Sequence, residues 1–182
     1  MIIAISGKQG AGKTTIAREL AKKLNYKFIS VGDFQGELAM KKGLTITEMM
    51  VLEKKEPWIH QAVDKKTEEI GKTEDNFVID GWIAYHFIPH SFKVFLEVQP
   101  QIGAERIFND TREDEPHQET VEKTKENIQN RLINTQAGFK KAHDIDFLDT
   151  SNYDLIFDTS NLTKEEVINK ILININKKKS LQ

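Results

Sequence analysis

Gly7-Lys8-Gln9-Gly10-Ala11-Gly12-Lys13-Thr14 sets glycines, a lysine and a hydroxyl at the spacing G-x-x-x-x-G-K-[ST]. That pattern is a phosphate-binding loop when a strand precedes it and a helix follows it. Glycine lets successive backbone N–H groups turn toward one anion, and the helix N-terminus adds a positive end. Gly7, Lys8, Gln9, Gly10, Ala11, Gly12, Lys13, Thr14 and Thr15 are therefore the candidate triphosphate cradle. Lys13 would reach the β- and γ-phosphates, and the Thr14 hydroxyl would bind Mg²⁺.

Further candidates lie downstream. Arginine is scarce, at Arg18, Arg106, Arg112 and Arg131, and three of the four fall between 106 and 131. Its planar fork suits phosphate better than the point charge of lysine, so this clustering suggests a phosphate-handling segment. Asp80 closes an apolar run and could be the acidic partner of Mg²⁺ at Thr14, or an ordinary Asp-Gly turn. Asp158-Thr159-Ser160-Asn161 could meet a nucleobase through its backbone or simply cap a helix. The histidines draw no metal site: His86 and His90 are four apart, but Pro89 lies between them.

The elements needed to position these groups can be read from the pattern. Met1–Ser6 is a short apolar run fit for a buried strand, and Thr15–Leu24 is an amphipathic helix. Tyr26–Ser30, Phe77–Asp80, Phe92–Val98 and Leu155–Phe157 supply four more strands. Helices are expected from Asp33 to about Lys42, from Thr45 to about Lys55 behind a Thr45–Glu48 capping box, and from Pro57 to about Ile70. Others should follow Pro100 to about Asn109, Thr120 to Ala142 and Thr163 to Asn176. Gly71–Asp75 reads as a turn, Asp110–Glu119 as an exposed loop, and Lys177-Lys178-Lys179 as a frayed end.

Short strands alternating with helices predict an α/β fold: a three-layer α/β/α P-loop NTPase architecture on a five-stranded parallel sheet. In such sheets ligands sit at the carboxyl ends of the strands, so the glycine loop, Gly32-Asp33 and Asp80-Gly81 could converge on one cleft. The expected organisation is a single domain, 1–182, with a core of 1–32, 71–106 and 136–182. Two insertions would occupy 33–70 and 107–135.

Composition narrows the partners. Net charge is −2 and the pI near 6.2, so nucleic acid is not an expected partner. No apolar stretch approaches the roughly 20 residues of a membrane span. The chain enters a strand at once, so no signal peptide is expected, and with no cysteine there are no disulfides or thiolate sites. A cytoplasmic monomer is the expectation. The absence of an Asn-Lys-x-Asp run argues against a switch GTPase. Two insertions on a compact loop-strand core suit phosphoryl transfer between bound substrates, which requires water exclusion.

At these residues the chain resembles the nucleoside monophosphate kinases, and among them the short archaeal type of cytidylate kinase. The likeness runs almost end to end. It is carried by Ile5–Thr15, Ile29–Phe34 with Glu37-Leu38-Ala39, Val63–Lys66, Val78–Gly81, Ala104–Ile107 and Tyr153–Ser160. The resemblance implies ATP-dependent phosphorylation of CMP or dCMP with Mg²⁺, and a small-molecule nucleotide as substrate. It implies catalytic roles for Lys13, Arg106, Arg112 and Arg131, with Arg106 at the lid hinge and Arg131 on the transferring phosphoryl group. Acceptor contacts would fall to Asp33, Asp64, Lys65, Asp80, Gly81 and Trp82, and the metal to Thr14 and Asp80.

The chain departs from the family where the acceptor phosphate should be held. Gly36, Trp82 and Gly138 stand where the family has arginines, and Phe139 stands for a tyrosine. Losing one charge-assisted contact costs about 1.5–3 kcal/mol. Lys41, Lys42, Lys65 or Lys66 could substitute as point charges with poorer geometry. Trp82 could stack a base or pack in the core. A kinase for another small acceptor, or an ATP-binding regulatory or assembly module, remains the alternative.

Overall fold

The computed structural model describes residues 1–44, 48–49, 52, 56, 58–110 and 120–180. The Pro57 helix start, most of the Thr45–Glu48 capping box, Arg112 and the acidic run Glu113–Glu115 lie outside them. Five strands are present: β1 (Ile2–Gly7), β2 (Lys27–Ser30), β3 (Phe77–Asp80), β4 (Phe92–Glu97) and β5 (Leu155–Asp158). Their order in the sheet is β2-β3-β1-β4-β5. Pairing is parallel between β1 and β3, β2 and β3, and β4 and β5. β1 and β3 are buried along their whole length, as expected of strands covered on both faces. The α/β fold and five-stranded parallel sheet read from the sequence are therefore present.

The described helices are α1 (Lys13–Leu24), α2 (Val31–Lys41), α3 (Trp58–Thr73), α4 (Ala84–Phe87), α5 (Pro100–Asn109), α6 (Val121–His143) and α7 (Lys164–Ser180). The chain divides into two compact units, 1–6 with 17–93 and 7–16 with 94–182. In the first, Ala39, Met49 and Ile59 form a small core against which Leu38, Leu44 and Leu52 pack. In the second, Phe95 and Phe147 are fully buried, and the Phe95 and Tyr153 rings lie 4.8 Å apart.

Three expectations need correction. Gly71 does not open a turn but continues the helix, and packing explains the glycine: a Cβ there would lie 2.7 Å from Ile88 Cγ1. Gly32 and Asp33 follow the end of β2 as expected, but α2 already begins at Val31 and takes them into its first turn, two residues before the expected start at Asp33. The lysine tail is not wholly frayed, since α7 runs to Ser180 and Lys178 Nζ sits 3.0 Å from Asp154 Oδ1. α7 starts on a reciprocal capping box: Thr163 N–H donates to Glu166 at 2.7 Å and Glu166 N–H to Thr163 Oγ1 at 3.3 Å. No helix among the described residues is long and apolar enough to cross a membrane.

Candidate active site

The glycine loop belongs wholly to the second unit. Gly7 is required by space and by conformation. Its φ is +146°, and a Cβ would fall 2.2 Å from the Leu96 carbonyl oxygen. Gly10, at φ +78°, lets the loop lie against α5, where a Cβ would meet Gly103 O at 2.4 Å. The Lys8 N–H donates to Leu96 O at 2.9 Å, tying the loop to β4, and Lys8 Nζ meets Glu97 Oε1 at 3.1 Å. Lys13 Nζ donates to Lys8 O at 2.9 Å, so the ammonium lies across the loop. Thr14 follows it in the first turn of α1.

Arg106, on α5, ties three chain segments together. Its Nη1 donates to Gly10 O at 3.3 Å and Thr159 Oγ1 at 3.1 Å, and its Nη2 to Thr159 O at 2.8 Å and Ser160 O at 3.3 Å. Thr159 Oγ1 in turn reaches Ala11 O at 3.3 Å and Glu97 O at 2.9 Å. The β5 exit is thus more than a cap: Asp158 binds the Ser160 N–H and hydroxyl, and Thr159 faces the loop. The Ser160 hydroxyl first, then its N–H, holds the Asp158 carboxyl below its ordinary pKa. Arg131, on α6, meets Gln9 when the carboxamide is turned to put its oxygen toward the guanidinium, accepting from Nη1 at 3.1 Å and Nε at 3.3 Å. Both contacts escape sequence reading because they join residues more than fifty positions apart.

The first unit holds Asp33, Asp64, Lys65, Asp80, Gly81 and Trp82. Asp80 is buried at the end of β3, in register with Ile5 and Ser30. The Gly81 N–H donates to Ile5 O at 3.1 Å, and Ser6 Oγ donates to Gly81 O at 2.9 Å. A side chain at Gly81 would press on Val31, 2.7 Å from its Cγ2, so the glycine is fixed by packing. Trp82 is only partly buried, and Asp33 and Lys65 are exposed. Burial pushes the Asp64 carboxyl up to about 6, against the pull of His60 and His86.

A cleft between α2 and α3 is lined by Phe34, Glu37, Leu38, Lys41, Ala62, Val63 and Lys66. Lys66 Nζ is 2.6 Å from Glu37 Oε2 and 4.1 Å from the centre of the Phe34 ring. That hydrogen bond, then the Lys66 charge, lowers the Glu37 pKa. Lys42 instead stands over the Trp58 ring at 4.8 Å. Of the four lysines weighed as substitutes for the missing arginines, only Lys41 and Lys66 line this cleft. Gly36 and Gly138 have open space where a Cβ would stand, with nothing within 4 Å.

The loop, its lysine and its helix N-terminus fit a triphosphate by the chemistry of the donors. Mg²⁺ in kinase sites is bound through one or two protein oxygens together with phosphates, and the Thr14 hydroxyl beside the loop is of that donor type.

Comparison with known proteins follows the same lines. The family model described as "Cytidylate kinase-like family" matches residues 2–161. A cytidylate kinase of Methanocella arvoryzae is 36% identical over 160 residues, covering 88% of each chain. One of Methanosphaera stadtmanae is 31% identical over 98% of this chain and 100% of its own. An S-adenosylmethionine-dependent nucleotide dehydratase of Lacinutrix mariniflava is 36% identical over 93% of this chain, which spans only 35% of that longer protein. Among solved structures, shikimate kinase from Bacteroides thetaiotaomicron superposes with a TM-score of 0.69 at 19% identity, over 97% of this chain and 98% of its own. At that identity the likeness is one of fold.

Proposed function

The chain belongs to the cytidylate kinase-like family, and we propose that it moves the γ-phosphoryl group of ATP to the phosphate of CMP, dCMP or a related nucleoside monophosphate. One observation carries this assignment: a single unit contains the glycine loop, Lys13, Thr14, Arg106 and Arg131, which is the equipment for holding and neutralising a triphosphate. The name of the cytidylate kinase relative supports a nucleotide as the second substrate.

In the transfer, an oxygen of the acceptor phosphate attacks the γ-phosphorus in line. The bond to the β,γ-bridging oxygen breaks, and ADP leaves with that electron pair. No protein nucleophile or general base is needed, because the acceptor oxygen is already anionic. Lys13 would neutralise the β- and γ-oxygens, and Arg131 would face the charge that spreads over the transferred group. Arg106 would hold the loop to α5 and the β5 exit. Mg²⁺, held by the Thr14 hydroxyl, would supply further charge neutralisation. On the acceptor side, Lys41 and Lys66 are the point charges available in place of arginine, and Trp82, being partly exposed, could stack the base.

The test is coupled turnover on CMP, dCMP, UMP, AMP and GMP, with Lys13→Ala as control. Transfer to a pyrimidine monophosphate is the expected result. Tight ATP binding with no transfer to any of the five would overturn the assignment.

A further inference from the structure

We propose that Gln9 is a positioning residue for Arg131, a role that rests on the phosphotransfer assignment above. Gln9 is the third residue of the glycine loop, and Arg131 lies on α6, far along the chain but in the same unit. With the carboxamide turned so that its oxygen faces the guanidinium, Gln9 accepts from both Nη1, at 3.1 Å, and Nε, at 3.3 Å. Two donors on one acceptor fix the azimuth of the guanidinium plane as well as its distance. The partner is neutral. A carboxylate at this place would hold the arginine equally well but would cancel its charge and add a negative one beside the triphosphate. A carboxamide orients the cation and leaves its full charge to act on the phosphoryl group.

The Gln9 contact also has a built support. Lys8, the residue before it, is anchored to Leu96 O at 2.9 Å, and Gly10, the residue after it, lies against Gly103 of α5. α5 and α6 pack on each other. The loop position that presents Gln9 and the helix that presents Arg131 are thereby tied through α5.

The experiment is a double-mutant cycle with Gln9→Met, which keeps the length but removes the acceptor, and Arg131→Ala. In the wild-type background Gln9→Met should lower kcat about 3- to 10-fold with the acceptor KM unchanged, the loss expected for one charge-assisted contact on an exposed side chain. In the Arg131→Ala background the same change should have no effect. Equal effects in both backgrounds, or none in either, would overturn the role. Equilibrium binding of a fluorescent ATP analogue repeats the cycle without turnover. If no acceptor is phosphorylated by the wild type, the kinase assignment fails while this second cycle still judges Gln9. Coupling of Gln9 and Arg131 in ATP affinity supports the contact, and additivity removes it.

Discussion

Arg106 Nη2 lies 2.8 Å from the carbonyl oxygen of Thr159, while Nη1 of the same guanidinium reaches Thr159 Oγ1 at 3.1 Å and Gly10 O at 3.3 Å. An arginine expected to act on nucleotide thus spends much of its donor capacity on backbone. Arg106→Ala should destabilise the fold by about 1–3 kcal/mol, the cost of a group of charge-assisted contacts at a partly buried site. Arg106→Lys should recover only part, because an ammonium cannot serve these acceptors in one plane. Urea midpoints check this. A variant of unchanged midpoint but lost ATP affinity would make Arg106 a ligand contact only.

The glycines divide into opposite classes. Gly7→Ala would drive a methyl to 2.2 Å from Leu96 O at a φ of +146°. It should cost roughly 2–4 kcal/mol and abolish ATP binding. Gly36 lies inside α2 with nothing within 4 Å of a Cβ, so Gly36→Ala should stabilise. The expected gain is about 0.5–1 kcal/mol, from the helix propensity of alanine alone. Gly36→Arg should fold as well as the wild type and, if the acceptor phosphate lies on this face, lower the acceptor KM about 10-fold. Thermal melts with acceptor titrations check both.

The fold and the glycine loop's local geometry were legible because their signals are local. Buried strands read as apolar runs, and the glycine loop compresses its chemistry into Gly7–Thr14. What escaped was long-range. Nothing near Gly71 announces Ile88 against it, and nothing near Lys178 announces Asp154. Nothing near Gln9 announces Arg131, 122 positions away. On the acceptor side four lysines looked equivalent until α2 and α3 packed and brought Lys41 and Lys66 into one cleft.

Lys66 and Lys65 offer a paired comparison. Lys66 is held by Glu37 over Phe34 in the cleft, whereas Lys65 is exposed. Lys66→Ala should raise the acceptor KM about 10-fold, and Lys65→Ala less than about 3-fold, as expected for losing a cation that lines the cleft against one outside it. Glu37→Gln should lower the acceptor KM by releasing Lys66. Steady-state kinetics on the best acceptor decide this, and equal effects of the two lysines would remove the cleft from the acceptor site.

Asp64 gives a pH dependence of definite sign. Its folded pKa is about 6 against an ordinary value of 3.8, so across that window the folded chain binds the extra proton. Its contribution to stability is therefore most favourable at low pH and falls as pH rises from about 4 to about 6. Asp64→Asn should stabilise at pH 7.5 by roughly 1–2 kcal/mol, after allowing for solvent screening of a partly exposed group. The gain should vanish near pH 4. Denaturant curves across this range check it, and a gain independent of pH would show that burial of the charge is not the cause.

Following the γ-phosphate of ATP is the most direct test of the proposed transfer. With γ-labelled ATP, Mg²⁺ and CMP, label should move into CDP at a rate that depends on CMP and is abolished by Lys13→Ala. Label released only as inorganic phosphate, at a rate unaffected by any nucleoside monophosphate, would contradict kinase function and mark the chain as an ATP-hydrolysing module.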